Sequence, residues 1–372
     1  MKWIWQQPDW PRFRYRPEAL ALREATFLKR SGIVVGAVRH LPKDEHLQLM
    51  VELLSTEALK TSEIEGELLN RDSVQSSLRR QFGLQSDMRR VEPAERGIAE
   101  MLSNVYKTFT KPLTDRMLFG WHRGLMQGRI DLRRIGAYRT HLEPMQVVSG
   151  PVHRPRVHFE APPSRSVPKE MRQFRAWFNA TAPKGEVPLP ALVRAGLTHL
   201  YFEYIHPFED GNGRIGRALA EKALAQGAGQ PTLSALSLTL ERHRARYYRE
   251  LERANKTLDL NDWLDWFADQ VLEAQVHTLE WVEFIIAKTQ LLDRLKGRLN
   301  VRQEKALLRL MRDGPDGFEG GLSAGNYASI TGAPPATARR DLVDLVELGA
   351  LVRSGQLRGT RYWIPFGSNA KP

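Results

Sequence analysis

The sequence predicts a mainly α-helical fold with two short β-hairpins, and three observations favour it. Apolar residues recur at spacings of three and four through most of the 372-residue chain, as on the buried face of helices. Two segments instead carry β-branched or alternating residues around glycine, which is typical of hairpins. No repeat of solenoid length and no low-complexity tract interrupts the helical pattern, so we expect ordinary globular domains.

The predicted elements follow one another along the chain after an irregular start rich in Trp, Pro and Arg. We interpret the aromatic residues of this start as a cap packed on the helices rather than as a nucleic-acid contact. Amphipathic patterns occupy residues 47–69, 94–109, 169–181, 192–205, 246–258 and 262–295. Hairpin patterns occupy residues 145–163 and 349–364. The resulting domains are an N-terminal helical domain (1–110), a central domain (111–296) and a C-terminal domain (297–372).

Composition limits the classes of protein that the sequence allows. There is no cysteine, which excludes disulfides and thiolate metal sites and fits a reducing compartment, so we expect a cytoplasmic protein. No stretch approaches the ~18 apolar residues of a membrane span, and the N-terminus lacks the apolar core of a signal peptide. We therefore expect no membrane partner. The net charge of +12 favours anionic partners such as nucleotides, nucleic acids or acidic proteins.

One polar run between two helical patterns concentrates the chemistry of the chain: "HPFEDGNGRIGR", His206 to Arg217. The proline after His206 ends the preceding helix, and a glycine-rich turn that leads into a helix presents backbone N–H groups to phosphate oxygens. Arg214 and Arg217 are three residues apart, so both can pair with further phosphates. Asp210 suits Mg²⁺ bound to a polyphosphate, and His206 is the candidate general base.

Simpler interpretations exist for each part of this run. The "DGNG" letters alone describe a plain turn, and a lone histidine at a helix end is commonly structural. A calcium loop is excluded because Arg214 stands where its pattern needs an acid or an amide. Since the chain has no Walker A motif, no G-x-S-x-G elbow and no H-E-x-x-H helix, this run is the candidate for phosphate chemistry.

The run resembles the complete signature of the Fic domain, H-P-F-x-[DE]-G-N-G-R-x-x-R. The resemblance implies a Fic-type helical core and the transfer of AMP from Mg²⁺-bound ATP to a hydroxyl side chain of a target protein and of itself. In that scheme His206 deprotonates the Ser, Thr or Tyr hydroxyl, Phe208 anchors the loop and Asp210 holds Mg²⁺.

The same resemblance implies the residues that bind the nucleotide. The phosphate contacts are Gly211, Asn212 and Gly213 for the α- and β-phosphates, Arg214 for the β-phosphate and Arg217 for the γ-phosphate. The stretch "RYYRELERANKTL" is similar to the family helix that lines the adenine pocket. Its candidate adenine contacts are Tyr247, Tyr248 and Asn255.

Residues 145–163 look like the flap of the family, a hairpin that pairs with the target backbone by strand addition. The candidate flap residues are Val157, His158, Phe159 and Glu160. The hairpin is longer than the common form, and its register is not fixed by the sequence.

A second motif lies upstream, "TSEIEG", Thr61 to Gly66, which by composition alone is an acidic helix end before a glycine. It resembles the inhibitory motif [ST]-x-x-x-E-[GN] of many Fic proteins. The resemblance implies that Glu65 pairs with Arg217 and withholds it from the ATP γ-phosphate. Some relatives use this glutamate to remove AMP from targets, so the reverse reaction stays open.

The last domain shows three helical patterns followed by an alternating tail, which predicts a winged helix-turn-helix. Thr337, Arg339 and Arg340 near the start of its third helix are candidate DNA contacts. Target docking or homodimerisation through the same fold is an equal alternative. The whole chain is therefore either an autoinhibited adenylyltransferase or a DNA-binding transcriptional regulator whose Fic core senses a nucleotide.

Overall fold

The computed structural model describes residues 2–39, 41–84, 90–150, 155–312, 314–315, 318 and 320–367, with the side chain of Arg358 outside the description. The prediction of a mainly helical fold is confirmed. The helices are α1 Ala21–Arg39, α2 Lys43–Ile64, α3 Arg71–Gln81, α4 Pro93–Thr108, α5 Asp115–Leu125, α6 Val167–Ala180, α7 Ala191–Ile205, α8 Asn212–Ala228, α9 Leu236–Arg242, α10 Arg244–Ala254, α11 Asn261–Leu295, α12 Val301–Leu310, α13 Ala324–Thr331 and α14 Pro335–Glu347. The strands are β1 Gln146–Ser149, β2 Arg156–Glu160, β3 Val352–Ser354 and β4 Arg361–Trp363.

The chain divides into two compact units, and helices α1, α2 and α11 contribute residues to both. The first unit comprises Met1–Val35 and Met50–Val276, and the second comprises Gly36–Leu49 and His277–Pro372. The domain boundaries that the sequence suggests after residues 110 and 296 stay a prediction. In the described part of the chain, none of the helices combines the length and the apolar character that crossing a bilayer needs.

Helix α7 lies at the centre of the first unit. It is buried on every face except at Glu203, because its sequence is apolar all round rather than amphipathic. It packs on α8 and α6, while α4 and α5 pack on each other and on α8. The loop between α7 and α8 is therefore held by two helices of the core.

The N-terminal segment packs on this unit through its aromatic side chains, as the sequence predicts. Trp10 meets Tyr201 of α7 edge to face, with ring centroids 5.2 Å apart. The Trp5 indole donates to the carbonyl of Glu160 at 2.6 Å, and the Ile4 N–H donates to the carbonyl of Asn255 at 2.7 Å. The start of the chain thereby supports the base of the β1–β2 hairpin.

Two differences from the predicted elements have local causes. The helix predicted to run to residue 69 ends at Ile64, because Gly66 adopts a φ of +84° that a helix cannot continue. Helices α1, α3, α5 and α9 fall in segments without a predicted helix. Helix α3 is polar, with buried serines in place of most of an apolar stripe, and α5 is a short amphipathic helix of 11 residues that contains two glycines.

The second unit contains the three helices and the hairpin that the sequence predicts. Strands β3 and β4 are antiparallel, with Val352 opposite Trp363. The Asp341 carboxylate of α14 accepts hydrogen bonds from Arg302 of α12 at 2.8 Å and from Tyr327 of α13 at 3.0 Å. One buried carboxylate therefore joins the three helices.

Candidate active site

The loop between α7 and α8 begins where α7 ends at Ile205. His206 takes a left-handed conformation, with φ 48° and ψ 59°, and its N–H still donates to the carbonyl of Phe202 at 3.0 Å. The following proline prevents the helix from continuing. The imidazole is half-buried in the loop, as the sequence predicts for a helix that stops at this residue.

Asn212 closes the loop with its side chain. Its amide donates to the carbonyl of Phe208 at 2.9 Å and accepts from the Phe208 N–H at 2.9 Å. Phe208 is fully buried and stacks on His122 at 4.1 Å between ring centroids. The Asn212 side chain therefore shapes the loop, and its backbone N–H is the group that remains to face a phosphate.

The first turn of α8 has the features of an anion site. Gly211 has a φ of +80° and sets the sharp entry into the helix, which has no side-chain cap. The N–H groups of a first helical turn and the helix dipole attract negative charge. The Glu65 carboxylate lies at this turn, because a Cβ built at Gly213 would overlap Glu65 Oε1.

Arg217 of α8 is buried and bound to the end of α2. Its Nη2 lies 2.7 Å from Glu65 Oε1, its Nε donates to Thr61 Oγ1 at 2.7 Å, and its Nη2 also donates to the Thr61 carbonyl at 2.9 Å. Gly66 ends α2 with a positive φ, which directs Glu65 toward α8. The structure thus brings Arg217 together with Thr61 and Glu65, which precede it in the chain by 156 and 152 residues.

Arg214 and Asp210 also have ion-pair partners. Arg214 Nη1 lies 2.5 Å from Glu67 Oε2, and its Nη2 lies 3.6 Å from Asp210 Oδ1. Asp210 Oδ2 lies 2.7 Å from Nη1 of Arg129. Burial favours the neutral acid, but the hydrogen bond from Arg129 and the charge of Arg214 hold the pKa of Asp210 below its usual value.

The chemistry of Asp210 fits a magnesium ion. Magnesium sites for polyphosphates need one or two carboxylates, with phosphate oxygens and water as the other ligands. Asp210 supplies such a carboxylate at the positive end of α8, where phosphates would lie, once Arg129 moves aside. Within the described ranges, no group of three or more His, Asp or Glu residues forms a complete metal cage.

His206 is neutral at physiological pH. Burial and the positive charge of Arg139 lower its pKa to about 4. The Arg139 Nε donates to the His206 carbonyl at 2.7 Å, and His206 Nδ1 lies 3.3 Å from the Glu203 carbonyl oxygen. A neutral imidazole with Nδ1 directed at a carbonyl leaves Nε2 as the acceptor for a proton.

A cavity of about 720 Å³ connects these groups. Its lining includes Glu65, His206, Asp210, Gly211, Asn212, Gly213, Arg217, Tyr247, Tyr248 and Asn255. Tyr248 is 41% exposed, whereas Tyr247 is buried and its hydroxyl is 2.7 Å from His199 Nε2. Asn255 is buried and donates to the carbonyl of His158 at 2.9 Å. Arg214 does not line this cavity.

The β1–β2 hairpin borders the same cavity through His158 and Phe159. Its register places Val147 opposite Phe159 and Val148 opposite Val157, with an irregularity between the two valines. Phe159 is buried against Tyr204, while Val157 is half exposed. Glu160 accepts from Gln146 at 2.8 Å. The tip of the hairpin, residues 151–154, lies outside the described residues.

Several site residues escaped the sequence analysis. They are Glu67, Arg129, Arg139 and Glu203. Glu203 lines the cavity, and burial, with the nearby charge of Glu65, raises its pKa to about 8. Its position three residues before His206 on a buried helix was a usable signal, since an acid is rare on an apolar helix. Nothing in the local sequence marks the other three.

Comparisons with known proteins place this loop within a recognised domain. Residues 112–224 match the family model of the Fic/DOC family, and residues 3–84 match that of a domain of unknown function, DUF4172. The chain is 32% identical over 99 residues to the protein adenylyltransferase Fic of Aedes aegypti, covering 27% of this chain and 18% of the relative. It is 35% identical over 68 residues to a probable protein adenylyltransferase of Aquifex aeolicus (strain VF5), covering 18% of this chain and 20% of the relative. The chain thus spans about a fifth of the length of these relatives.

Two solved structures share the fold. A Fic family protein from Desulfovibrio desulfuricans G20 superposes with a TM-score of 0.54 at 19% identity, covering 95% of this chain and 98% of the other. A Fic domain containing signaling protein from Bacteroides thetaiotaomicron VPI-5482 gives a TM-score of 0.51 at 17% identity, covering 69% of this chain and 97% of the other. Together the matches support a Fic/DOC domain in this chain, and the two solved structures share its fold.

Proposed function

We propose that this chain is a protein adenylyltransferase, which transfers AMP from ATP to a Ser, Thr or Tyr hydroxyl of a target protein and of itself. The observation that carries the proposal is the convergence of His206, the first turn of α8 and Arg217 on one cavity. The family match over residues 112–224 and the names of the relatives support this reaction class.

The chemical step uses His206 as the base. Its neutral imidazole takes the proton of the target hydroxyl while the hydroxyl oxygen attacks the α-phosphorus of ATP. The new oxygen–phosphorus bond forms as the bond from the α-phosphorus to the oxygen bridging to the β-phosphate breaks, and pyrophosphate leaves. Backbone N–H groups at the start of α8 stabilise the charge on the phosphate oxygens.

Nucleotide binding involves the remaining groups of the cavity. Asp210 would hold Mg²⁺ together with phosphate oxygens, and the bound ion would supply positive charge against the triphosphate. The proposed phosphate contacts are the backbone of Gly211, Asn212 and Gly213, the Arg214 side chain at the β-phosphate and the Arg217 side chain at the γ-phosphate. The proposed adenine contacts are Tyr247, Tyr248 and Asn255. Of the tyrosines, Tyr248 exposes more of its ring to a base.

We propose that Glu65 inhibits the enzyme. A carboxylate at 2.7 Å occupies Arg217, and the nearly complete burial of this guanidinium strengthens the pair. The γ-phosphate of ATP would need the same guanidinium. ATP then binds productively only when Glu65 moves away from Arg217. The hydrogen bonds from Arg217 to Thr61 keep the guanidinium in place at the end of α2.

The flap would align the target. Strands β1 and β2 form a two-stranded hairpin whose β1 residues are all exposed. A target segment that adds to Val157–Glu160 by backbone hydrogen bonds would bring its hydroxyl toward His206 across the shared cavity. This mode accepts many side chains, so it leaves the target itself open.

The test compares three forms of the full chain with α-labelled ATP and Mg²⁺: the wild type, Glu65→Gly, and Glu65→Gly/His206→Ala. We expect strong labelling of the chain itself and of lysate proteins by Glu65→Gly only, at about 100-fold or more above the double variant, the scale of general base catalysis. Circular dichroism spectra control for folding.

Two other results would change the proposal. If no folded variant becomes labelled, adenylylation as proposed is wrong. If the wild type instead releases AMP from proteins that Glu65→Gly has labelled, removal of AMP is the main activity and Glu65 has a role in it.

A second candidate function concerns the C-terminal unit, for which we propose a winged helix-turn-helix fold. Arg339 and Arg340 are exposed near the start of α14, and Thr337, two residues before Arg339, is half-buried. This placement suits phosphate contact by a recognition helix of a DNA-binding regulator. Salt-dependent binding of the full chain to duplex DNA would support this function. If the chain does not bind DNA, this function is wrong, and the alternatives for the C-terminal unit are docking of a target protein and homodimerisation.

A further inference from the structure

A second acidic residue, Glu67, occupies the other arginine of the α8 turn. Glu67 Oε2 lies 2.5 Å from Arg214 Nη1, and the Arg214 side chain is only 6% exposed. Its Nε is buried without a hydrogen-bond partner in the described part of the chain. The Arg214 guanidinium therefore depends mainly on Glu67 for a compensating charge. Among the described ion pairs, its other partner is Asp210, at the longer distance of 3.6 Å.

One chain turn positions both glutamates. Helix α2 ends at Ile64, Gly66 has a φ of +84°, and the Glu67 N–H donates back to the carbonyl of Ser62 at 3.0 Å. Glu65 and Glu67 lie on either side of this glycine and reach different arginines on successive turns of α8. The same turn thus places two carboxylates at an anion site.

We propose that Glu67 is a second inhibitory residue, which withholds Arg214 from the β-phosphate while Glu65 withholds Arg217 from the γ-phosphate. The inference deepens the proposed function and rests on it. It is consistent with the burial of the Arg214 side chain in its pair with Glu67 and with the absence of Arg214 from the cavity lining. The two carboxylates take the places of two phosphate charges.

The two residues should then exclude different nucleotides. AMP has neither phosphate, so neither glutamate competes with it. ADP has the β-phosphate and competes with Glu67 alone, whereas ATP competes with both. A comparison of AMP, ADP and ATP binding therefore distinguishes the effect of Glu67 from the effect of Glu65.

The test is isothermal titration calorimetry of the full chain with AMP, Mg²⁺-ADP and Mg²⁺-ATP. The variants are Glu67→Gln and Glu65→Gln, which remove charge and keep size. Glu63→Gln is the matched control, because Glu63 stands on the same helix end but pairs with Lys60 at 2.6 Å. We expect Glu67→Gln to tighten ADP and ATP binding about tenfold, within the usual range for coupled sites. We expect Glu65→Gln to tighten ATP binding alone, and Glu63→Gln and AMP to show no change.

The outcomes separate this inference from the proposed function. If Glu65→Gln gains affinity for ATP but Glu67→Gln leaves ADP binding unchanged or weaker, the role of Glu67 is wrong and the proposed function stands. If no form of the chain binds any of the nucleotides, both are wrong. If Glu67→Gln does not fold, Glu67→Asp, which is one methylene shorter, carries the same comparison with ADP.

Discussion

At the residue scale, each charged group of the candidate phosphate site has a partner from elsewhere in the chain. Arg217 pairs with Glu65, Arg214 pairs with Glu67, and Asp210 pairs with Arg129. In the proposed function the two glutamates occupy the arginines that would bind phosphates, and Arg129 occupies the carboxylate that would bind a cation. Each of these charges is therefore paired within the chain, so under the proposed function Mg²⁺-ATP would have to displace these internal partners to bind.

The low pKa of His206 predicts the pH dependence of the reaction. A base acts in its unprotonated form, and burial together with Arg139 lowers the His206 pKa to about 4. In the Glu65→Gly variant the loss of a nearby carboxylate lowers it further. We expect the labelling rate at limiting ATP to stay constant from ~pH 5.5 to ~pH 7.5. Initial rates across this range check it, and a fall by half near pH 6.5 would show a histidine with an ordinary pKa.

The sequence could predict the contiguous part of this site but not its ion pairs. His206 to Arg217 lie within one run, so their types and spacing indicate phosphate chemistry by themselves. The partners of Arg214, Asp210 and His206 lie 147, 81 and 67 residues away. Contacts over such separations leave no spacing pattern in a single sequence. The Glu65–Arg217 pair was predicted only because a family resemblance supplied it.

At the element scale, the core depends on close helix packing. Helix α4 meets α5 at Gly97, where an added Cβ would overlap the carbonyl of Gly124. Both helices pack on α8, whose first turn forms the candidate anion site. Helices with strong apolar periodicity, such as α4 and α6, were predictable. The end of α2 was not, because it depends on the backbone conformation of Gly66.

Gly97→Ala should destabilise the first unit. Its methyl group meets backbone, which cannot turn aside, so we expect a loss of about 1–3 kcal/mol in the free energy of unfolding. Gly120→Ala is the matched control, because Gly120 is exposed on α5 and no atom lies within 4 Å of an added Cβ. For this change we expect the free energy of unfolding to rise by up to about 1 kcal/mol, since alanine favours a helix more than glycine does. Urea unfolding followed by circular dichroism measures both, and equal effects of the two changes would contradict this packing.

At the scale of the whole molecule, the proposed enzyme draws its site from distant parts of one unit. The first unit holds the turn of the proposed inhibitory residue Glu65, the hairpin proposed as a flap, the His206 loop and helix α10 with the proposed adenine contacts. The N-terminal segment supports the flap through the Trp5 contact with Glu160. Residues that precede the Fic/DOC match at 112–224 therefore contribute to the candidate active site. Because the signature at 206–217 does not include them, it does not by itself indicate how the site would be regulated.

The central claim is that the α-phosphate of ATP, rather than the γ-phosphate, is transferred to protein. The direct measurement incubates Glu65→Gly with Mg²⁺ and ATP labelled at either the α- or the γ-position, and then quantifies label on the chain. Transfer of AMP predicts label from α-labelled ATP only, with γ-label recovered as pyrophosphate. Label from γ-labelled ATP would show phosphoryl transfer and would contradict the account.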